Sequence, residues 1–204
     1  MRTKRRKKLP TILEPKEVEN LMRIPNKRYF SGTRNLAVLS VMLNMGLRVS
    51  EISNLRSGDV NLTENKLRIV EGKGGVDRDL KIPFYTSELL KEWKRAKPKN
   101  TKYFFTTIKD VKDRGRFNTK KGNKFKITNI QAMVKKYSNR AGIEHTSSHT
   151  LRHTFATNFI KQGGNVMHLQ KILGHASVST TQIYITLALK DVEEAMSKFK
   201  EFKI

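Results

Sequence analysis

A chain of 204 residues is long enough for one domain with a real core, or a domain with a small appendage. Its 42 Lys and Arg against 18 Asp and Glu leave a net charge of +24, an excess that repels itself unless a polyanion neutralises it. Nucleic acid is the first candidate, and an acidic membrane surface is the weaker rival because no amphipathic anchor or lipidation signal accompanies the charge. The absence of cysteine excludes disulfides and thiolate metal sites. No apolar run follows the basic start as it would in a secretory signal, and none approaches the about 18 residues of a membrane span. The expected placement is cytoplasmic and DNA-associated.

Residues 1–10 read as a basic tail. Arg2, Lys4, Arg5, Arg6, Lys7 and Lys8 are six cations without an acid, either solvated or lying on phosphate. Glu14-Pro15-Lys16-Glu17 starts a helix with proline in its first turn, carried on by Val18, Leu21 and Met22 until Pro25. Leu36, Leu39, Val41, Met42 and Leu43 mark a strongly apolar, buried helix that Gly46 stops. Arg48 then sits in a tight turn before another helix over 49–55, and Glu51 lies one helical turn further on.

Two strands, 66–70 and 78–82, flank Gly72-Lys73-Gly74-Gly75, a turn whose glycines tolerate positive φ. Thr86 or Ser87 is expected to cap a helix to Lys97 with Leu89, Leu90 and Trp93 as its apolar stripe, and Tyr103-Phe104-Phe105 reads as a short strand. Residues 109–126 form a polar surface loop or hairpin. Its cations Arg114, Arg116, Lys120, Lys121, Lys124 and Lys126 are expected to face DNA.

Thr128 with Gln131 suggests a capping box for a helix through Arg140, ended by Gly142. A helix over 149–162 ends at Gly163-Gly164, and Asn165 caps a short one that Gly174 stops. A last amphipathic helix covers 189–202, with Val192, Met196 and Phe199 at helical spacing. There is no internal repeat.

The chemistry-bearing residues form an ordered set: Arg48 in Gly-Leu-Arg-Val-Ser-Glu, Lys73 in Glu-Gly-Lys-Gly-Gly, His149 and Arg152 in His-Thr-Leu-Arg-His, His175 in Leu-Gly-His, and Tyr184 nine positions later. Guanidinium forks bind the non-bridging oxygens of a phosphodiester, histidines donate hydrogen bonds or move protons, and a phenol can attack phosphorus. Each residue also has a plainer reading. Arg48 could be a surface arginine paired with Glu51, Tyr184 a core residue beside Ile183 and Ile185, and Lys73 an exposed hairpin lysine. His145, His149 and His153 recur at i, i+4, but no carboxylate interrupts the run and Arg152 adds a cation, so no metal is expected there. His153 reads as a packing residue.

The six residues in this order resemble the catalytic domain of the tyrosine recombinase (phage integrase) family, whose pattern is Arg, Lys, His-x-x-Arg, His, Tyr. The likeness spans roughly residues 11 to 190. It implies a mainly helical fold with a small antiparallel β-sheet, and a single catalytic domain over 11–204. It also implies site-specific DNA recombination without a cofactor. Tyr184 would attack a DNA phosphate, leaving a 3′-phosphotyrosyl link and a free 5′-hydroxyl. Arg48 and Arg152 would clamp the phosphate, with Glu51 orienting Arg48. His175 would hydrogen-bond the phosphate, His149 would be a candidate base toward Tyr184, and Lys73 would protonate the leaving oxygen.

The family further implies double-stranded DNA as partner and a homotetramer on paired sites, with a monomer as the expected state free in solution. The helix over 189–202 is then the candidate to dock on a neighbouring subunit. Most members carry an additional N-terminal helical domain that closes the DNA clamp; the chain starts almost directly at the catalytic domain, and the tail Arg2 to Lys8 is expected to substitute in part. Two alternatives stay open: relaxation of supercoils by a type IB topoisomerase-like reaction, and a non-catalytic DNA-binding accessory.

Overall fold

The computed structural model describes residues 10–70, 77–109, 120–175 and 181–189. Its helices are α1 (Pro15–Arg23), α2 (Phe30–Met45), α3 (Val49–Asn54), α4 (Phe84–Ala96), α5 (Ile127–Arg140), α6 (Ser148–Lys161), α7 (Val166–Leu173) and α8 (181–189). A 3-10 turn, Ser57–Asp59, leads into β1 (Val60–Asn61), followed by β2 (Lys66–Ile69) and β3 (Arg78–Lys81). The fold is mainly helical with one small antiparallel sheet in the order β1-β2-β3. Leu67 pairs with Leu80, and alternation along β2 sends Leu67 and Ile69 into the core.

Helix α2 is buried on nearly every side because it lies between α4 and α6. That explains its apolar sequence without a polar face. A polar seam on it is satisfied: Ser40 Oγ and Thr86 Oγ1 lie 2.9 Å apart, and Asn44 donates to Thr86 at 3.2 Å. Arg34 is buried as well. It donates to the Thr106 carbonyl at 3.0 Å and its guanidinium lies 3.6 Å from the centre of the Phe125 ring. Burial lowers its pKa to about 10, which still leaves it charged.

Several local expectations are corrected. Helix α4 begins at Phe84 behind Pro83, not at a cap from Thr86 or Ser87. Those hydroxyls are turned inward instead, toward Ser40 and Asn65. Helix α5 begins at Ile127 with Lys126 as its N-cap, so Thr128 and Gln131 form no capping box. Residues 103–105 make no strand; Tyr103 only bridges Arg56, while Trp93 Nε1 donates to the Phe104 carbonyl at 2.9 Å. Helix α6 starts at Ser148, one residue before the expected 149, behind a capping box formed by Ser147 and Thr150.

Gly46 ends α2 at φ 65°, and its missing Cβ makes room for Phe155, whose Cδ1 would lie 2.3 Å from an added methyl. The left-handed turn directs the chain toward Arg48. Gly46→Ala is expected to destabilise the protein by about 2–4 kcal/mol, combining backbone strain with overpacking. Gly142→Ala, at φ 71° but with open space around it, should cost only about 1 kcal/mol. Urea unfolding of both variants checks this; equal losses would show that the close approach of Phe155 is unimportant.

Candidate active site

Helices α3, α6, α7 and α8 and strand β3 deliver the side chains of the site. Arg48 is the N-cap of α3, and its backbone N–H and guanidinium both donate to the Glu51 carboxylate, at 2.7 and 3.1 Å. Its second terminal nitrogen donates to the Gly174 carbonyl at 3.0 Å, the left-handed residue that ends α7. The pairing of Arg48 with Glu51 that the sequence suggested as a plain surface contact is real. It is not a surface contact, because the Glu51 side chain is only 7% exposed.

Arg152 reaches the same place from α6. It donates to the carbonyls of Gly46 at 2.6 Å and Leu173 at 2.7 Å, and lies 4.0 Å from Glu51. Arg78, which sequence reading passed over, arrives from β3. It donates to Glu51 at 2.9 Å and to the Ile172 carbonyl at 2.7 Å, and its side chain is 9% exposed. An arginine facing inward at the first residue of a strand was the available signal, hidden among 42 basic residues.

One carboxylate therefore faces three guanidiniums. Burial pushes the Glu51 carboxyl up, but the charge and hydrogen bond of Arg78, the Arg48 backbone N–H and the charge of Arg152 outweigh it and hold the pKa below its usual value. Burial, aided by Arg48, lowers Arg152 to about 10, with Glu51 and Tyr184 opposing. Both ions stay charged at neutral pH, and among the described residues three guanidiniums of the cluster face its one carboxylate.

His175 follows Gly174. Its Nε2 lies 3.1 Å from an Arg152 nitrogen and its Nδ1 lies 3.1 Å from Thr181 Oγ1. A guanidinium can only donate, so Nε2 is the acceptor and the ring proton sits on Nδ1, toward Thr181. Burial first, then Arg152, Arg48 and Arg78, lower the His175 pKa to about 4, so the ring is neutral at physiological pH.

Tyr184 on α8 is 2% exposed, packed with Ala156, Leu169, Leu173 and Leu187. Its ring stacks on His175, with centroids 6.5 Å apart and planes at 19°. The hydroxyl lies 3.0 Å from Nδ1 of His153. Burial raises the phenol's pKa, with Arg152 and Arg48 pulling the other way. Tyr184 is thus both a core residue and a polar one, buried by its ring and bonded by its oxygen.

The partner of that oxygen corrects the reading of His153 as mere packing. His149, one turn earlier on α6, is exposed. A stripe of three histidines does not form either: His145 lies before α6 at φ 59°. Among the described residues no group of three or more His, Asp or Glu side chains is arranged to hold a metal ion.

The remaining expectations fall at the periphery or beyond it. Lys120, Lys121 and Lys126 are exposed, while Lys124 is half-buried against Asn54 and the Tyr103 ring. Lys73 and its turn, Arg114, Arg116, the tail cations Arg2, Lys4, Arg5, Arg6, Lys7 and Lys8, and residues 190–202 lie outside the described residues. No described helix is long and apolar enough to cross a membrane.

A small helical domain that gathers arginines, a neutral histidine and a buried tyrosine around one carboxylate is built to hold an anion beside a phenol. Residues 11–190 match the pattern of the Phage integrase family, and the chain belongs to that family. Tyrosine recombinase XerA of Thermococcus kodakarensis is 31% identical over 194 residues, which cover 94% of this chain and 64% of that protein. The crystal structure of XerA recombinase is similar with a TM-score of 0.75 and 31% identity, over 98% of this chain and 68% of that one. The XerH site-specific recombinase bound to palindromic difH substrate, a post-cleavage complex, gives a TM-score of 0.75 at 27% identity, over 95% of this chain and 54% of that one. The chain spans less than two thirds of the length of the curated relatives it matches first.

Proposed function

We propose that this chain is the catalytic domain of a site-specific DNA recombinase that cuts and rejoins DNA through Tyr184. The observation that carries the reading is the convergence of Tyr184, His175, Arg152 and Arg48 on the Glu51–Arg78 ion cluster. In-line attack turns a monoanionic phosphodiester into a phosphorane with a second developing negative charge. Guanidiniums fixed beside the phenol can match that transition state better than the ground state, which is how placed charges accelerate a reaction.

Tyr184 Oη bonds to phosphorus, the bond from phosphorus to the 5′-oxygen breaks, and Lys73 protonates the departing oxygen. The energy of the diester is retained in the 3′-phosphotyrosine, so rejoining a 5′-hydroxyl from another duplex needs no ATP. In this reading residues 11–204 are the catalytic domain and 1–10 a basic tail that lies on phosphate. Lys120, Lys121, Lys124 and Lys126 support the reading as a cationic flank for double-stranded DNA. The working assembly is a homotetramer on paired sites. The segment over 189–202 docks on a neighbouring subunit. The family relationship and the relatives' recombinase names support this reading.

The experiment is capture of protein on nicked and supercoiled duplex DNA in EDTA, resolved under denaturing conditions, with Tyr184→Phe beside the wild type. The expected result is a 3′-linked adduct from the wild type and none from the variant, with DNA binding kept by both. Binding without any adduct would instead favour a DNA-binding accessory. Relaxed plasmid without strand exchange would favour a topoisomerase-like reaction.

A further inference from the structure

We propose that His153 holds the Tyr184 hydroxyl and accepts its proton during attack on the DNA phosphate. The inference rests on the covalent reading above and assigns it a residue that the ordered motif does not include. Of the two neighbouring histidines on α6, His153 is the one whose ring nitrogen reaches the phenol, Nδ1 to Oη at 3.0 Å, with ring centroids 5.7 Å apart and planes at 44°. Candidate bases are recognised first by such reach and then by protonation state. His153 is half-buried, and burial, then His149 and Arg152, keep its pKa below the ordinary histidine value. The ring is therefore neutral at physiological pH. With its hydrogen on Nε2, it presents a lone pair at Nδ1 to the phenolic O–H.

His175, whose ring stacks on that of Tyr184, is already committed. Its Nε2 accepts from Arg152 and its Nδ1 proton points to Thr181, so no lone pair remains for the phenol. The two imidazoles divide the work by tautomer, one toward the phosphate clamp and one toward the nucleophile. As Tyr184 Oη bonds to phosphorus, its O–H bond breaks and the proton passes to Nδ1 of His153. The bond from phosphorus to the 5′-oxygen breaks, and that oxygen takes its proton from Lys73. The resulting imidazolium faces an added negative charge on phosphorus, and on rejoining it returns the proton to the phenolate.

Two measurements test this. In the free protein, 15N-histidine NMR should show His153 with its proton on Nε2, and Tyr184→Phe should shift the Nδ1 resonance. A protonated Nδ1 at neutral pH, or no shift in the variant, would overturn the proposal. In the second, adduct formation is timed on nicked duplexes carrying oxygen or sulfur at the bridging 5′ position of the scissile phosphate. A thiolate leaves without a proton, so sulfur should rescue Lys73→Ala. His153→Asn retains a hydrogen-bonding group near the Nδ1 position but not its basicity. It should be slower by about 100-fold on both substrates. Wild-type rates in His153→Asn and His153→Ala, or rescue of either by sulfur, would sink the proton-accepting role. If the wild type forms no adduct on either DNA, the covalent reading fails and this role fails with it. The NMR result separately reports whether the contact exists.

Discussion

Glu51→Ala is expected to destabilise the protein by about 3–5 kcal/mol, because it strands like charges in a dry site. The carboxylate is the common acceptor for Arg48 and Arg78 and lies 4.0 Å from Arg152, with side-chain exposures of 7% for Glu51 and Arg152 and 9% for Arg78. Removing it takes away the carboxylate that these guanidiniums share and leaves their mutual repulsion less compensated. Glu51→Gln keeps the shape and one acceptor oxygen but not the charge, so it should fall between the wild type and alanine. The same group sets an acid limit. Its pKa is depressed in the folded state, so its contribution is present above the unfolded value of 4.5 and is lost as pH falls through the lower folded value. Thermal unfolding from pH 7 downward reads both effects. Glu51→Gln should lack the part of the wild-type decline that begins near pH 4.5. Identical melting temperatures and pH profiles for the two proteins would remove Glu51 from the centre of the cluster.

Arg152→Lys is expected to slow adduct formation by about 1,000-fold while leaving DNA affinity nearly unchanged, since transition-state charge is held by placed donors rather than by charge alone. Arg152 fixes its fork with two backbone carbonyls and reaches His175 with the same terminal nitrogen that bonds Leu173. An ammonium on a flexible stem cannot satisfy these directions together. It still carries one positive charge, so the salt dependence of DNA binding should keep its slope. The comparison is a single-turnover adduct rate against an equilibrium binding titration. If rate and affinity fall together, Arg152 serves general attraction to DNA; if neither falls, it has no part in the clamp.

The helices were legible in the sequence where one face had to be buried. The spacing of Leu89, Leu90 and Trp93 finds α4, and Gly46 and Gly174 mark helix ends because both adopt positive φ. Caps were less legible. Thr86, Ser87 and Thr128 have the chemistry of cap residues, yet the first two are taken by buried partners in other elements, which no local window reveals. The same holds for the site. Arg48, Arg152, His175 and Tyr184 stand out by order and spacing. Arg78 and His153 stand out only once β3 is laid against α7 and α8 against α6, because their partners, Ile172, Glu51 and Tyr184, are distant in the chain.

That distance has a consequence for the chain as it is made. Arg152 closes on Gly46 across 106 positions, Arg48 on Gly174 across 126, and Arg78 on Ile172 across 94. Contacts so remote form late, after much of the chain has been ordered. A nascent chain that has left the ribosome only as far as α6 holds Arg48, Glu51 and Arg78 but lacks the α7 carbonyls that aim the arginines, and it lacks the phenol altogether. An incomplete translation product therefore already carries the basic residues of the cluster while the contacts that orient them and Tyr184 itself are still missing.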